Sequence, residues 1–173
     1  MKLIVGLKNP GKQYRNTRHN LGALALEHLF SGASFSLEKK MQAEVATVSA
    51  GDEKYILAQP TTYMNLSGEA VSKLRSYYKL TNEQIIVLHD EVELPPFEVR
   101  YKFGGGHKGN NGLRSIIKEL GSADFHRVRL GVGRPADERI SVADYVLSSL
   151  PPIKEEFYIE VAEILKENCG INV

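Results

Sequence analysis

The amino-acid sequence predicts a single α/β domain: a twisted, mixed, mostly parallel sheet covered by helices on both faces. Three observations point there. The chain has 173 residues, long enough for one well-buried core and short for two. Short apolar runs alternate with segments of helical period, the pattern of strands covered on both sides. No internal repeat, low-complexity tract or Ser/Gly linker divides the sequence, so residues 1–173 are expected to form one unit.

In chain order, Lys2 to Leu7 is a compact apolar run bounded by Lys-Asn-Pro-Gly, hence a buried strand entering a turn. From His19 to Phe30, Leu21, Leu24, Ala25 and Leu29 recur at helical spacing, with Thr17 available as a cap. Glu44 to Ser49 and Tyr55 to Gln59 read as strands joined at Gly51-Asp52, and a helix is expected from about Ser67 to Tyr78. Ile85 to Leu88, wholly apolar, is expected as a central strand leading into His-Asp-Glu. Glu98 to Phe103 alternates as a strand does; a glycine-dense loop, Gly104 to Gly112, then opens a helix through Leu120. Val128 to Val132 is another strand, and Ser141 to Leu150 and Ile153 to Glu167 carry helical periodicity. In such sheets ligands gather beyond the C-terminal ends of the strands, where Lys8-Asn9 and His89-Asp90 both fall.

Composition narrows the class. A hydrophobic fraction of 42% and a charged fraction of 25% are those of a globular domain. No window approaches the roughly 18–20 apolar residues that span a bilayer, and the first strand is too soon interrupted to serve as a signal peptide. One cysteine, Cys169, allows neither an internal disulfide nor a Cys-rich zinc site, and a reducing cytoplasm is the expected location. The net charge of +1 hides a division. From Val99 to Arg134 eight basic residues (Arg100, Lys102, Lys108, Arg114, Lys118, Arg127, Arg129, Arg134) face two acids (Glu119, Asp124). From Pro135 to Val173 three basic residues face eight acidic ones. Either these are two solvated surfaces of opposite sign, or the basic stretch binds phosphate.

Several familiar chemistries fit poorly. Gly6 and Gly11 have the spacing of the outer glycines in a dinucleotide fingerprint, but Lys8 occupies the middle position, where the backbone must approach pyrophosphate closely. Gly104, Gly106 and Gly109 satisfy G-x-G-x-x-G formally, but Asp124 precedes the next strand rather than ending it. No P-loop is present, since Asn110 follows Gly109, and no Gly-x-Ser-x-Gly elbow occurs. His89, Asp90, Glu91, Glu93 and His107 contain metal-ligating types, but consecutive residues on a strand point to opposite faces. What remains is a set of polar residues at element ends: His19, Asp90, Asn9, Asn65 and Asn111. Singly, each has an ordinary structural reading. Together they meet the needs of ester hydrolysis by activated water: an imidazole as proton acceptor, a carboxylate to fix its tautomer, and carboxamides for an oxyanion and a peptide backbone.

These residues lie in blocks that resemble bacterial-type peptidyl-tRNA hydrolase along essentially the whole chain. The blocks are Val5-Gly6-Leu7-x-Asn9-Pro10-Gly11, Thr17-Arg18-His19-Asn20, Pro60 to Gly68, Gly104-Gly105-Gly106-His107-x-Gly109-x-Asn111-Gly112-Leu113, and Arg127 to Pro135. The resemblance implies cleavage of the ester between a peptide and the 3′ ribose of tRNA, by a monomeric α/β enzyme without a cofactor. It implies that His19 accepts the proton with Asp90 as its partner. Tyr14, Tyr63, Asn65 and Asn111 would lie against the tRNA end and the peptidyl part, and Asn9 would separate blocked from free α-amino groups. The charge pattern nominates Arg100, Lys102, Arg129 and Arg134 for tRNA phosphates. Three positions depart from the family pattern: Lys8 replaces glycine, Asp90-Glu91-Val92-Glu93 is less aspartate-rich, and Asn110 replaces a histidine. Two other readings stay open: a non-catalytic RNA-binding protein, which leaves the His19 and Asp90 pair without a task, and a hydrolase of peptides or nucleosides, which leaves the basic stretch unexplained.

Overall fold

The computed structural model describes residues 1–173 and contains seven strands and five α-helices. The strands are β1 (Lys2–Gly6), β2 (Ser36–Glu38), β3 (Ala43–Ala50), β4 (Glu53–Pro60), β5 (Ile85–Glu91), β6 (Val99–Phe103) and β7 (His126–Gly131). The helices are α1 (Leu21–Leu29), α2 (Ser67–Tyr78), α3 (Asn111–Leu120), α4 (Val142–Tyr145) and α5 (Glu155–Cys169). All strands join one sheet in the order β2-β3-β4-β1-β5-β7-β6. The four central strands, β4, β1, β5 and β7, are parallel, while β3 and β6 run against them and β2 runs against β3. Five of the seven strands therefore share one direction, which makes the sheet mixed and mostly parallel.

The period of two along the central strands decides which helix meets which residue. Leu3 and Val5 of β1, with Ile85 and Val87 of β5, join a core cluster with Val71 and Leu74 of α2 and Leu113 and Ile116 of α3. Ile4, Ile86 and Leu88 face the other way, into a cluster with Leu21, Ala25 and Leu26 of α1 and Phe157, Val161 and Leu165 of α5. Helices thus cover both faces. Continuing the alternation along β5 sends His89 toward the α2/α3 face and Asp90 toward the α1 face. No helix is long and apolar enough to cross a membrane.

Three local expectations are corrected. The helix expected from His19 begins as α1 at Leu21; Arg18–Asn20 form a tighter 3₁₀ turn. Thr17 does not cap it with its hydroxyl, which donates to Tyr14 O at 2.8 Å. The segment Ser141 to Leu150 is α-helical only over α4. One tertiary contact accounts for both changes at the helix start. The Arg18 and His19 amides donate to Ser148 O and Val146 O at 3.1 and 2.7 Å, so the two segments satisfy each other's backbone groups. Strand β2 has no counterpart among the sequence expectations; its three residues are all exposed, so no burial pattern marks it.

Helix α1 lies directly on the backbone of the sheet at Gly22. A Cβ at that position would sit 2.2 Å from Leu88 O, and the neighbouring Ala23 amide donates to Leu7 O at 3.3 Å. This close approach sets the distance between the start of α1 and the end of β5. Gly22→Ala is expected to destabilise the protein by about 1–3 kcal/mol through overpacking, read as a lowered urea midpoint with an unchanged m-value.

Candidate active site

Four chain segments converge at the C-terminal ends of the parallel strands: the turn after β1, the turn after β4, the end of β5 and the glycine loop before α3. The turn after β1 leaves toward α1, while the segment after β4 leaves toward α2 on the opposite face. Adjacent strands whose connections part in this way open a crevice, the usual place for a ligand in such sheets.

His19 and Asp90 meet on one side of this crevice. His19 Nδ1 lies 2.7 Å from Asp90 Oδ2, and the two residues are 9% and 3% exposed. A carboxylate partner makes Nδ1 the protonated nitrogen and leaves the lone pair on Nε2. Burial acts to lower the His19 pKa, but the charge of Asp90 and its hydrogen bond together outweigh it, and the net shift is upward from 6.5. Protonated His19 therefore stabilises the fold at acid pH, and this contribution is lost as pH rises through the raised pKa. The pair opens into a cleft of about 320 Å³ that is also lined by Lys108, Asn110, Asn111 and Arg134.

Asn9 joins two of the converging turns and lines a separate hollow with Lys8, Gly11 and Asn20 rather than the cleft that holds His19 and Asp90. Its Oδ1 accepts from the Met64 amide at 2.7 Å, tying the turn after β1 to the turn after β4. Because only an oxygen can accept that bond, the amide orientation is set and Nδ2 is left as a free donor. Asn20 holds the Asn9 backbone at both ends: Asn9 N donates to Asn20 Oδ1 at 2.8 Å, and Asn20 Nδ2 donates to Asn9 O at 3.0 Å. Sequence reasoning gives Asn20 no role in the site, though its place beside His19 in the same block is a usable signal. Tyr63 and Asn65 flank Met64 and are both exposed, and Tyr14 is half-buried in the short turn after Gly11. Lys8 adopts no left-handed backbone, so the turn tolerates a side chain there; its amine pairs with Glu44 at 3.1 Å.

The glycine loop is shaped by Gly104, Gly105 and Gly109, whose φ values of 69°, 95° and 84° suit residues without a Cβ. Arg127, part of the basic stretch, is not on the surface at all. Its buried guanidinium donates to Gly105 O, Gly106 O and Ala123 O at 2.6, 2.9 and 3.0 Å and so pins the loop. Asn111 is the first residue of α3 and is exposed to the cleft. Asn110, where the family pattern has histidine, has partners of its own: its Oδ1 accepts from Leu113 N, and its Nδ2 donates to Asp90.

The four basic residues nominated for phosphate do not form one patch. Arg134 lines the His19 cleft and pairs with Glu93. Arg129 pairs with Glu91 at 2.9 Å, and Lys102 sits beside it in an adjoining small depression. Arg100 lies on the outer strand, paired with Glu98 at 2.9 Å. Of the four, Lys102 alone has no acidic partner. Its pKa is lowered by desolvation and then by Lys108, Arg127 and Arg129, a crowding of positive charge that an anion would relieve. The five residues with metal-ligating side chains do not assemble: His89 turns its Nδ1 to Asp90 O at 2.9 Å, while Glu91 and Glu93 are held by arginines.

The fold and its cleft define an α/β protein of the single-sheet, open-edged kind with a polar site beyond its strand ends. Its relatives are specific. The family model described as peptidyl-tRNA hydrolase matches residues 3–170. The peptidyl-tRNA hydrolase of Rickettsia bellii (strain RML369-C) is 43% identical over 175 residues, covering 100% of this chain and 92% of that protein. That of Bdellovibrio bacteriovorus is 46% identical over 158 residues, covering 91% and 83%. The crystal structure of peptidyl-tRNA hydrolase from Acinetobacter baumannii superposes with a TM-score of 0.82 at 37% identity, covering 87% of this chain and 77% of that one. The chain belongs to the peptidyl-tRNA hydrolase family.

The two influences on His19 can be separated. In the intact protein an NMR titration of its imidazole is expected to give a pKa above 6.5. In Asp90→Asn the burial remains and the charge is gone, so the pKa should fall below that value. An unchanged titration would show that Asp90 does not govern His19.

Proposed function

We propose that this protein hydrolyses the ester joining a peptide, or any N-blocked aminoacyl group, to the 3′ ribose of tRNA, returning tRNA from stalled or aborted translation in the cytoplasm. Membership of the family supports the reaction, and the 2.7 Å contact between His19 and Asp90 in an open cleft is the observation that supports the mechanism. His19 Nε2 takes a proton from water, and the resulting hydroxide attacks the ester carbonyl carbon. Asp90 holds the ring in the required tautomer and stabilises the imidazolium as it forms. Asn111, at the positive end of α3, would donate to the developing oxyanion. Collapse of the tetrahedral intermediate expels the ribose oxygen, which recovers the proton from His19. Water and ester are consumed; a carboxylic acid and a ribose hydroxyl are formed.

Asn9 accounts for discrimination. With Oδ1 engaged by Met64, it offers only a donor, which suits the carbonyl of an N-acyl group. A free α-ammonium would meet that donor with no counter-charge after losing its water. Tyr63 and Asn65, exposed beside Met64, and Tyr14 beside the first turn would contact the tRNA end and the peptide. Lys102 is the foremost phosphate contact, with Arg129, Arg134 and Arg100 joining only by sharing or leaving their acidic partners. The chain is expected to act as a monomer.

His19→Ala should lower turnover of N-acetyl-aminoacyl-tRNA by about 10²–10⁴-fold, the scale of general base catalysis; wild-type turnover in a single-turnover assay would remove the base assignment. Release from unblocked aminoacyl-tRNA should be much slower than from the acetylated form, and Asn9→Ala should narrow the difference. Reversing charge at Lys102 should raise KM and flatten the salt dependence of kcat/KM, with little effect on kcat.

A further inference from the structure

We propose that Asn110 is a positioning residue for the His19–Asp90 pair, fixing the Asp90 carboxylate through the oxygen that His19 does not use and tying it to the start of α3. This rests on the reading of His19 and Asp90 given above.

The two oxygens of Asp90 have different partners. Oδ2 faces His19 Nδ1 at 2.7 Å, and Oδ1 accepts from Asn110 Nδ2 at 3.2 Å. The same nitrogen reaches Asp90 O at 3.1 Å, so side chain and backbone of the residue are gripped together. The other end of the amide is also engaged: Asn110 Oδ1 accepts from Leu113 N at 3.0 Å and caps α3. That bond leaves no choice of orientation, because an amide nitrogen cannot accept it; Nδ2 must face Asp90. Asn110 is further anchored by its own amide, which donates to His107 O at 3.0 Å across the left-handed Lys108 and Gly109.

The physical consequence is restriction of one torsion. A carboxylate held by a single bond can turn about its Cβ–Cγ axis and still keep that bond poorly. A second donor on the other oxygen removes this freedom and keeps Oδ2 aimed at the imidazole. A carboxamide does this without adding charge, so the full attraction between Asp90 and His19 is kept. It also has no proton to gain or lose near neutrality. The remaining charged groups around the cleft are Lys108, Glu91, which is paired with Arg129, and Arg134, which is paired with Glu93. His89 lies behind the strand and is held neutral by burial, its pKa lowered.

The experiment must separate capping from positioning. Serine caps a helix about as well as asparagine but is too short to donate to Asp90, so Asn110→Ser keeps the first role and removes the second. With N-acetyl-aminoacyl-tRNA, Asn110→Ser is expected to lose about ten- to a hundredfold in kcat, with KM within about twofold. The acid limb of its kcat profile should move to lower pH, as in Asp90→Asn but less far. Asn110→Asp, which also caps but sets a second carboxylate against Asp90, should lose more. Wild-type kcat and acid limb in Asn110→Ser, beside crippled His19→Ala and Asp90→Asn, would overturn the proposal while leaving the underlying reading intact. A loss of kcat that tracks a loss of folded protein, with the acid limb unmoved, would overturn it as well. Wild-type behaviour of Asp90→Asn would bring down the underlying reading, and this inference with it.

Discussion

The hydrogen bond between His19 and Asp90 joins residues 71 positions apart, and neither end of it is free to adjust. Asp90 is carried at the end of a strand whose preceding residues are all buried, so its direction follows from the pleat. His19 is held one turn before α1, and α1 is seated on the Leu88 carbonyl through Gly22. A nearly enclosed carboxylate would be costly without partners. Here it has two, an imidazole and an amide, on separate oxygens. The fold supplies the site by fixing both approaches: a shift of β5 by one residue would turn Asp90 to the opposite face and bring His89 to the cleft.

Around that pair, the site is furnished with carboxamides whose two ends have separate tasks. Asn20 commits both ends to the Asn9 backbone. Asn9 gives its oxygen to Met64 and keeps its nitrogen. Asn110 gives its oxygen to α3 and its nitrogen to Asp90. Each orientation is decided by a backbone N–H, a donor that no amide nitrogen can satisfy. The outcome is a set of neutral groups of known polarity: Asn110 lines the His19 cleft, while Asn9 and Asn20 line a separate hollow beside the turn after β1. Under the proposed reading, that neutrality suits a site that binds a polyanion on one side and an uncharged acyl group on the other.

Positive charge is held back in a comparable way. Arg127 is withdrawn into the interior to hold the glycine loop, and three surface arginines have acids beside them. The Arg100–Glu98 and Arg134–Glu93 pairs are exposed and contribute little to stability, whereas Arg129–Glu91 is largely buried, so under the proposed reading only the first two would exchange a carboxylate for a phosphate at modest cost. Lys102, unpaired and crowded by like charges, stands apart. An anion beside it would be neutralising an existing repulsion.

Much of this protein is legible in its residues alone. Wholly apolar runs such as Ile85 to Leu88 mark buried strands, and the helical period of Ser67 to Tyr78 marks α2 to its ends. The blocks around Asn9, His19, Asn65 and Asn111 point to the family, because motif residues must recur in order wherever the same site is built. Local sequence does not reveal where α1 begins, that Ser141 to Leu150 unwinds after Tyr145, or that β2 exists. Those features depend on hydrogen bonds between segments distant in the chain, or on an edge with nothing to bury. The partners of Asn110 and Asn20, the burial of Arg127 and the pairing of Arg129 with Glu91 and of Arg134 with Glu93 were likewise decided by tertiary structure alone. A residue's type states what it can donate, accept or carry; only the packing of strands and helices determines which groups stand within hydrogen-bonding distance to receive it.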